Sequence, residues 1–156
     1  MAETENKLKQ LLTKERMLHL QAVSSWEQAV DLACEPLLNE GSISDLYVTN
    51  IKKNVKENGP YMVLADYFAL MHAKAGEGVN ELSMSLLIVD EEVDLVGVPV
   101  KLFLILAAED SRTHIDALAD ITTLLMDQAS FNTFLNGDIE QISRLIETNV
   151  KGGDQS

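Results

Sequence analysis

Two stretches of the chain carry apolar residues at helical spacing. Between Ser24 and Gly41 these residues recur at intervals of three and one, which places them on one face of a helix. Ser24 and Glu27 form a Ser-x-x-Glu pattern that predicts a capping box at its start, and Gly41 predicts its end. A second helix is predicted from about Ser44 to Glu57, where an Asn-Gly-Pro turn stops it. The first apolar face consists of Trp26, Ala29, Val30, Ala33, Cys34, Leu37 and Leu38.

The middle of the chain has the pattern of buried β-strands. Met84–Val89 and Lys101–Ala108 are almost continuously apolar, as strands covered on both faces must be. Tyr61–Ala65 is predicted as a further strand, with connecting turns at Asp90–Glu92 and Gly97–Pro99. Helical spacing returns after the last strand. The pattern therefore predicts an α/β fold, with a mixed, mostly parallel sheet sandwiched by helices in three layers.

The two ends of the chain are predicted to lie around this core. Leu8, Leu11 and Leu12 share a face, so residues 4–14 are predicted to form a short N-terminal helix. The polar residues 151–156 are predicted to be a flexible tail. A single domain over residues 1–150 is long enough to bury a full core.

A histidine stands where the apolar middle of the chain meets small residues. His72 lies in the run Ala-Leu-Met-His-Ala-Lys, and glycines follow at positions 76 and 78. A strand that leads into such a loop exposes one ring nitrogen to a partner. A histidine with an ordinary pKa near ~6.5 is largely neutral at cellular pH and can act as a nucleophile. Lys74 is either a neighbour of a bound phosphate or a charge at the rim of this site that helps a partner to dock, and we expect the second.

The block around His72 resembles a known phosphorylation site. Residues 59–79, GPYMVLADYFALMHAKAGEGV, are similar to the site of EIIA components of the sugar phosphotransferase system (PTS), in the mannitol/fructose class. The Gly-Pro-Tyr start and the later Thr113-His114 pair make the chain most similar to the ascorbate-type branch. The resemblance extends over roughly residues 15–148, nearly the full chain.

The resemblance implies a function and three site residues. It implies that His72 accepts a phosphoryl group from phospho-HPr and passes it to a cognate EIIB component. EIIB then serves a membrane EIIC transporter for carbohydrate uptake, with ascorbate as the candidate substrate. His114 would stabilise the phosphoryl group by hydrogen bonding, and Lys56 is a candidate phosphate contact at the position reached by counting back from His72. No cofactor and no metal are implied.

The residues around these positions add to this interpretation. His114 follows a buried strand and opens a predicted helix, where free backbone N–H groups attract phosphate oxygens. Two positions depart from the family pattern. Met71 replaces the proline that usually precedes the phosphorylated histidine, and Asp66 lies where Pro-Gly is common. A carboxylate at position 66 would hinder transfer if it faced the phosphate.

The composition limits which classes of partner the protein can bind and in which cell compartment it is expected. A net charge of −13 argues against binding to nucleic acid or anionic membranes. A basic protein partner would complement this charge, although by itself the charge favours a role in solubility alone. The single cysteine, Cys34, excludes an internal disulfide and suits a reducing compartment. The chain shows no apolar run of membrane-spanning length and no secretory signal, so we expect a cytoplasmic protein. A homodimer remains open.

Two other classes of function compete with the phosphocarrier. One is a stand-alone regulator of the same family that signals through its phosphorylation state. The other is a metal-dependent hydrolase, which the sequence disfavours because His72 and His114 lack a third ligand. The acidic positions 90–94 match no metal-binding loop. His19 on the polar side of a strand and Cys34 in the apolar face are expected to be structural.

Overall fold

The computed structural model describes residues 11–60, 62–74, 76–109, 119–136 and 138–148. Five strands form one sheet: β1 (Met17–Leu20), β2 (Val63–Ala65), β3 (Tyr67–Met71), β4 (Ser83–Leu95) and β5 (Val98–Ala107). Their order across the sheet is β1-β4-β5-β3-β2, so the two longest strands lie inside and the two shortest form the edges. The predicted N-terminal helix falls largely, and the predicted tail entirely, outside the described residues.

The sheet is mixed, but parallel pairs do not predominate as predicted. β1–β4 and β3–β5 are parallel, whereas β4–β5 and β2–β3 are antiparallel. The two antiparallel pairs follow from tight connections, which cannot join parallel strands. One of these is the turn at Val96 and Gly97, where both residues have positive φ (48° and 95°), as a type I′ hairpin requires. The prediction of a mostly parallel sheet was therefore wrong, because two of the connections are hairpins.

Helices cover both faces of the sheet. They are α1 (Trp26–Glu40), α2 (Asp45–Asn58), α3 (Gln128–Asn136) and α4 (Ile139–Thr148), and residues 119–125 are also helical. Phe103, Ile105 and Ala107 of β5 pack on the core beneath α1 and α2, and the alternate residues of β5 pack on the second core, with Phe134 and Ile142. The three-layer α/β prediction is confirmed. Within the described residues, no helix has both the length and the apolarity needed to cross a membrane.

The first helix begins one residue later than the predicted capping box. Ser25 is the N-cap, and its hydroxyl accepts a hydrogen bond from the Gln28 backbone N–H at 3.1 Å. The Gln28 side chain in turn accepts from the Ser24 N–H at 2.6 Å. The predicted Ser24–Glu27 pair is therefore wrong by one residue. Gly41 ends the helix in the left-handed conformation, as predicted (φ 82°).

Two strand boundaries also differ from prediction. The run predicted as one strand, Tyr61–Ala65, contains the short β2, and the next residues double back to form β3. Asp90–Glu92, predicted as a turn, lies within β4. The pairing register shifts between Ile88 and Val93, so these exposed acidic residues form an irregular bulge rather than a chain reversal.

An ion pair links the 3₁₀ turn Lys14–Arg16, directly before β1, to the end of α1. Arg16 donates to both carboxylate oxygens of Glu40, at 3.0 and 2.6 Å, and to the Leu11 carbonyl at 2.6 Å. The hydrogen bond from Arg16 lowers the pKa of the Glu40 carboxyl below its ordinary value of 4.5. The bidentate geometry makes this pair more ordered than a typical surface contact.

We expect Arg16→Gln to destabilise the protein in a pH-dependent way. Because the folded-state pKa of Glu40 is depressed, the pair stabilises the protein above pH 4.5 and loses this effect as the pH falls through the lower folded value. After allowance for solvent screening, the loss at neutral pH should be about 0.5–1 kcal/mol. The midpoint of thermal unfolding, measured for wild type and variant at pH 7 and about 3, should show a gap that narrows in acid to the part caused by the lost bond to the Leu11 carbonyl. An equal gap at both pH values would contradict the assignment.

Candidate functional site

His72 lies at the edge of the sheet where two parallel strands end. β3 and β5 pair in parallel, with Met71 opposite Ile105, so their carboxyl ends meet at this edge. Phe68–Met71 are buried because both faces of β3 are covered, and His72 is the first residue beyond the strand. Ligands of open α/β sheets collect at such strand ends. His72 therefore lies directly after a buried strand and at the start of a loop, as the sequence predicted.

The His72 ring is half-buried and oriented by its own backbone. Its Nδ1 lies 2.8 Å from the Leu70 carbonyl oxygen. A carbonyl can only accept, so Nδ1 carries the proton in this contact, and in the neutral ring Nε2 holds the lone pair. The His72 carbonyl accepts from the Asn54 side-chain amide at 3.4 Å. The contact thus selects the tautomer in which Nδ1 carries the proton and Nε2 holds the lone pair.

The loop after His72 is fastened to its surroundings at three further points. We call residues 72–74 and 76–79 the His72 loop. The Ala73 N–H donates to the Tyr47 hydroxyl at 3.1 Å, and the Gly76 N–H donates to the Ala108 carbonyl at 2.9 Å. The Ser44 N–H donates to the Gly78 carbonyl at 2.9 Å. These bonds attach the loop to the first turn of α2 and to the end of β5.

A shallow groove of about 250 Å³ separates α2 from the His72 loop. Lys74 lies at its rim with an exposed ammonium group 3.6 Å from Glu77. Lys53 and Asn54 of α2 also line it, whereas Lys56 is exposed on α2 and is not part of the lining. The sequence interpretation missed Lys53 and Asn54, although positions 50, 53, 54 and 57 share one face of a helix. The lining residues are Asn50, Lys53, Asn54, Glu57, Ala73, Lys74 and Glu77.

The two departures from the family pattern lie in different places. Met71 is fully buried in the core between the sheet and α1–α2, so it acts as a packing residue. Asp66 lies at the opposite end of β3 from His72. At the rise of a β-strand, six residues separate them by roughly 20 Å. Its carboxylate therefore does not face the histidine.

The second predicted site histidine falls on residues that the structure does not describe. His114 and its neighbours at 110–118 lie outside the described residues. Their point of departure is nevertheless defined, because Ala108, just after β5, bonds to the His72 loop. The last described residues before this segment, Ala108 and Glu109, thus lie beside the loop.

Two other potentially reactive side chains, His19 and Cys34, make contacts that are typical of structural residues. His19 lies on edge strand β1, and its Nε2 is 2.7 Å from a carboxylate oxygen of Asp90. Cys34 is buried in the core, and burial raises the pKa of its thiol to about 12, so it is not a nucleophile at neutral pH. Among the described residues, no three His, Cys, Asp or Glu side chains gather as metal ligands.

Comparison with known proteins agrees with this geometry. The family model described as "Phosphoenolpyruvate-dependent sugar phosphotransferase system, EIIA 2" matches residues 10–149. The mannitol-specific cryptic phosphotransferase enzyme IIA component of Escherichia coli K12 is 31% identical over 124 residues, 78% of this chain and 84% of that protein. The ascorbate-specific PTS system EIIA component of the same organism is 28% identical over 131 residues, 81% and 85% of the two chains.

A solved structure shows the same fold. The solution structure of the mannitol-specific cryptic phosphotransferase enzyme IIA from Escherichia coli superimposes with a TM-score of 0.84 at 27% identity. The match covers 92% of this chain and 99% of that one. Relatives of mannitol and ascorbate type thus match at similar identity, and this likeness does not distinguish between the two sugars.

Proposed function

Because the chain belongs to the EIIA 2 family of the phosphoenolpyruvate-dependent sugar phosphotransferase system, we propose that it is a phosphocarrier of that system. His72 accepts a phosphoryl group from phospho-HPr and passes it to a cognate EIIB component, which serves the membrane EIIC. The unit that does so is one domain over residues 1–150. The transported substrate is a carbohydrate, with ascorbate as the candidate.

The observation that supports this proposal is the hydrogen bond from His72 Nδ1 to the Leu70 carbonyl. Nε2 attacks the phosphorus of the HPr phosphohistidine, a new N–P bond forms as the old one breaks, and the HPr imidazole leaves with the bonding electrons. The Nδ1 proton stays in place. The positive charge that the ring gains is therefore stabilised by the carbonyl dipole.

Charge compensation is the second requirement of the reaction. Phosphoryl transfer depends mainly on positioning and on neutralising the phosphate oxygens, and this chain has a net charge of −13. Lys53 and Lys74 line the groove next to the His72 loop, and because Glu57 and Glu77 line it too, the lysines offset local negative charge rather than make the groove positive. In the proposal His114 donates a hydrogen bond to the phosphoryl group, and Lys56 remains a candidate phosphate contact.

Reconstitution of the transfer chain tests this function. Incubation with phosphoenolpyruvate, enzyme I and HPr should add one acid-labile phosphate, and ³¹P NMR should identify it as Nε2-phosphohistidine. Addition of the cognate EIIB should then discharge the protein rapidly. A protein that takes up phosphate but retains it in the presence of EIIB would instead be a regulator. Absence of labelling would refute the proposal.

A further inference from the structure

The Tyr47 hydroxyl lies between two backbone groups that belong to different parts of the site. Tyr47 is in the first turn of α2, and its side chain is buried, with 1% of the residue exposed. The hydroxyl donates to the Leu106 carbonyl at 2.5 Å and accepts from the Ala73 N–H at 3.1 Å. A hydroxyl has one proton, so the direction of both bonds is determined.

These two bonds connect the His72 loop to the end of β5. Ala73 directly follows His72, and Leu106 is the penultimate residue of β5, from which the chain continues toward His114. The two contacts bridge 26 and 59 residues of sequence. Tyr47 also contributes through its backbone, because Gly78 at the far end of the loop passes so close that an added Cβ would lie 2.6 Å from the Tyr47 nitrogen. Tyr47 thus bonds to the start of the loop and lies in close contact with its far end, which the neighbouring Ser44 N–H holds.

We propose that Tyr47 is a positioning residue for the phosphoacceptor, an inference that rests on the proposed phosphocarrier function. The bond from His72 Nδ1 to Leu70 joins residues only two positions apart, so it depends on the path of the backbone through residues 71–73. The Tyr47 hydroxyl fixes that path at Ala73. It thereby keeps the Nδ1–H tautomer and directs Nε2 toward the incoming phosphorus.

Loss of the hydroxyl should release the loop. Without the hydroxyl, the buried Ala73 N–H and Leu106 carbonyl would both lose this hydrogen-bond partner. The free-energy cost of that loss is large enough to displace the more flexible of the two segments that carry them. The loop is that one, because Leu106 is held in the sheet opposite Met84. The ring would then leave the Leu70 carbonyl for part of the time, and both tautomers would be populated.

Tyr47→Phe and Ser85→Ala form the matched pair for a test. Tyr47→Phe keeps the aromatic ring in the core and removes only the hydroxyl. Ser85 has a buried hydroxyl that donates to the Ala33 carbonyl, also at 2.5 Å, between β4 and α1. Ser85→Ala therefore removes an equally buried bond that does not involve the His72 loop. Thermal unfolding should first establish that both variants are folded at the assay temperature, with the larger loss of stability in Tyr47→Phe because it removes two buried bonds and Ser85→Ala removes one.

Two measurements distinguish an effect of the Tyr47 hydroxyl on the orientation of the His72 ring from an effect on folding stability alone. Nitrogen-15 NMR of the imidazole above its titration range should show the Nδ1–H form in wild type and Ser85→Ala, and a mixture of tautomers in Tyr47→Phe. The kcat for transfer from phospho-HPr should fall about ten- to a hundredfold in Tyr47→Phe, with KM little changed, because a small misplacement of a reacting atom has effects of this size. Ser85→Ala should retain the wild-type rate.

The outcomes are distinct. A folded Tyr47→Phe with the wild-type tautomer and rate would overturn the inference, as would an equal loss of rate in Ser85→Ala. If wild type takes up no phosphate, the phosphocarrier proposal fails, while the comparison of tautomers still decides whether Tyr47 orients the ring. A tautomer mixture confined to Tyr47→Phe would support the role of the hydroxyl.

Discussion

His72→Gln is expected to abolish phosphorylation by phospho-HPr while leaving the fold intact. Glutamine can still donate to the Leu70 carbonyl through its amide nitrogen, but it has no nucleophilic lone pair like that of Nε2. Removal of a nucleophile lowers turnover by at least about a thousandfold, equivalent to roughly 4 kcal/mol of barrier. Acid-labile phosphate, measured by intact mass after incubation with phosphoenolpyruvate, enzyme I and HPr, should be absent.

His19→Gln is the matched control for this experiment. It makes the same substitution on edge strand β1, which β4 and β5 separate from β3, and it removes a histidine whose partner is Asp90. This variant should label at the wild-type rate. His114→Ala should permit slow or unproductive transfer, because it removes the proposed stabiliser but not the nucleophile. Labelling of His72→Gln at a rate close to wild type would refute the site.

Gly78→Ala is expected to damage both stability and transfer. Gly78 has a φ of 77°, and a Cβ at this position would lie 2.6 Å from the Tyr47 nitrogen and 3.1 Å from its Cα. A side chain is therefore disfavoured by the left-handed backbone and by contact with helix backbone that cannot move aside. Backbone strain of about 1–2 kcal/mol and overpacking of about 1–3 kcal/mol together give a loss of roughly 2–5 kcal/mol.

Gly41→Ala separates the effect of backbone strain from the effect of overpacking. Gly41 has a similar φ of 82°, but nothing lies within 4 Å of an added Cβ, so only the strain of about 1–2 kcal/mol applies. Denaturant unfolding should therefore rank Gly78→Ala well below Gly41→Ala in stability. Labelling by phospho-HPr should fall about tenfold or more in Gly78→Ala alone, because the His72 loop is displaced. Equal stability of the two variants would show that the close approach to Tyr47 has no energetic effect.

The sequence predicted the parts of the fold whose pattern is local. The predicted helices and long apolar strands correspond to the observed α1, α2, β4 and β5. They were predictable because a buried face requires apolar residues at the spacing of its helix or strand. The β2–β3 reversal was missed because it carries no turn signal. It runs through Asp66 and Tyr67, and Tyr67 adopts a φ of 66° that bulky residues rarely take.

Other errors arose where the same stretch of sequence is compatible with two different local structures. Ser24 with Glu27 and Ser25 with Gln28 both match the capping pattern, and only the observed hydrogen bonds distinguish them. The acidic run within β4 resembles a turn in composition, yet the chain continues through it as a bulge.

Of the residues around the candidate site, only His72 carries a clear signal in the sequence. His72 stands out in the sequence because a histidine follows an apolar strand and precedes a glycine-rich loop. Tyr47, Lys53 and Asn54 carry no comparable signal, since their relation to the loop arises from the packing of α2 beside the end of β3. Tyr47 in particular looks like an ordinary member of the apolar face of a helix, and only its hydroxyl contacts reveal a further role.

The distribution of strand lengths has a consequence for how the protein behaves when it is abundant. The outermost strands, Met17–Leu20 and Val63–Ala65, are the shortest, so little unpaired backbone is presented at either side. An extended chain from another molecule would find only three or four residues to add to, too few for a persistent intermolecular ladder. We therefore expect the described part of the sheet to offer little template for fibrous self-association at high concentration.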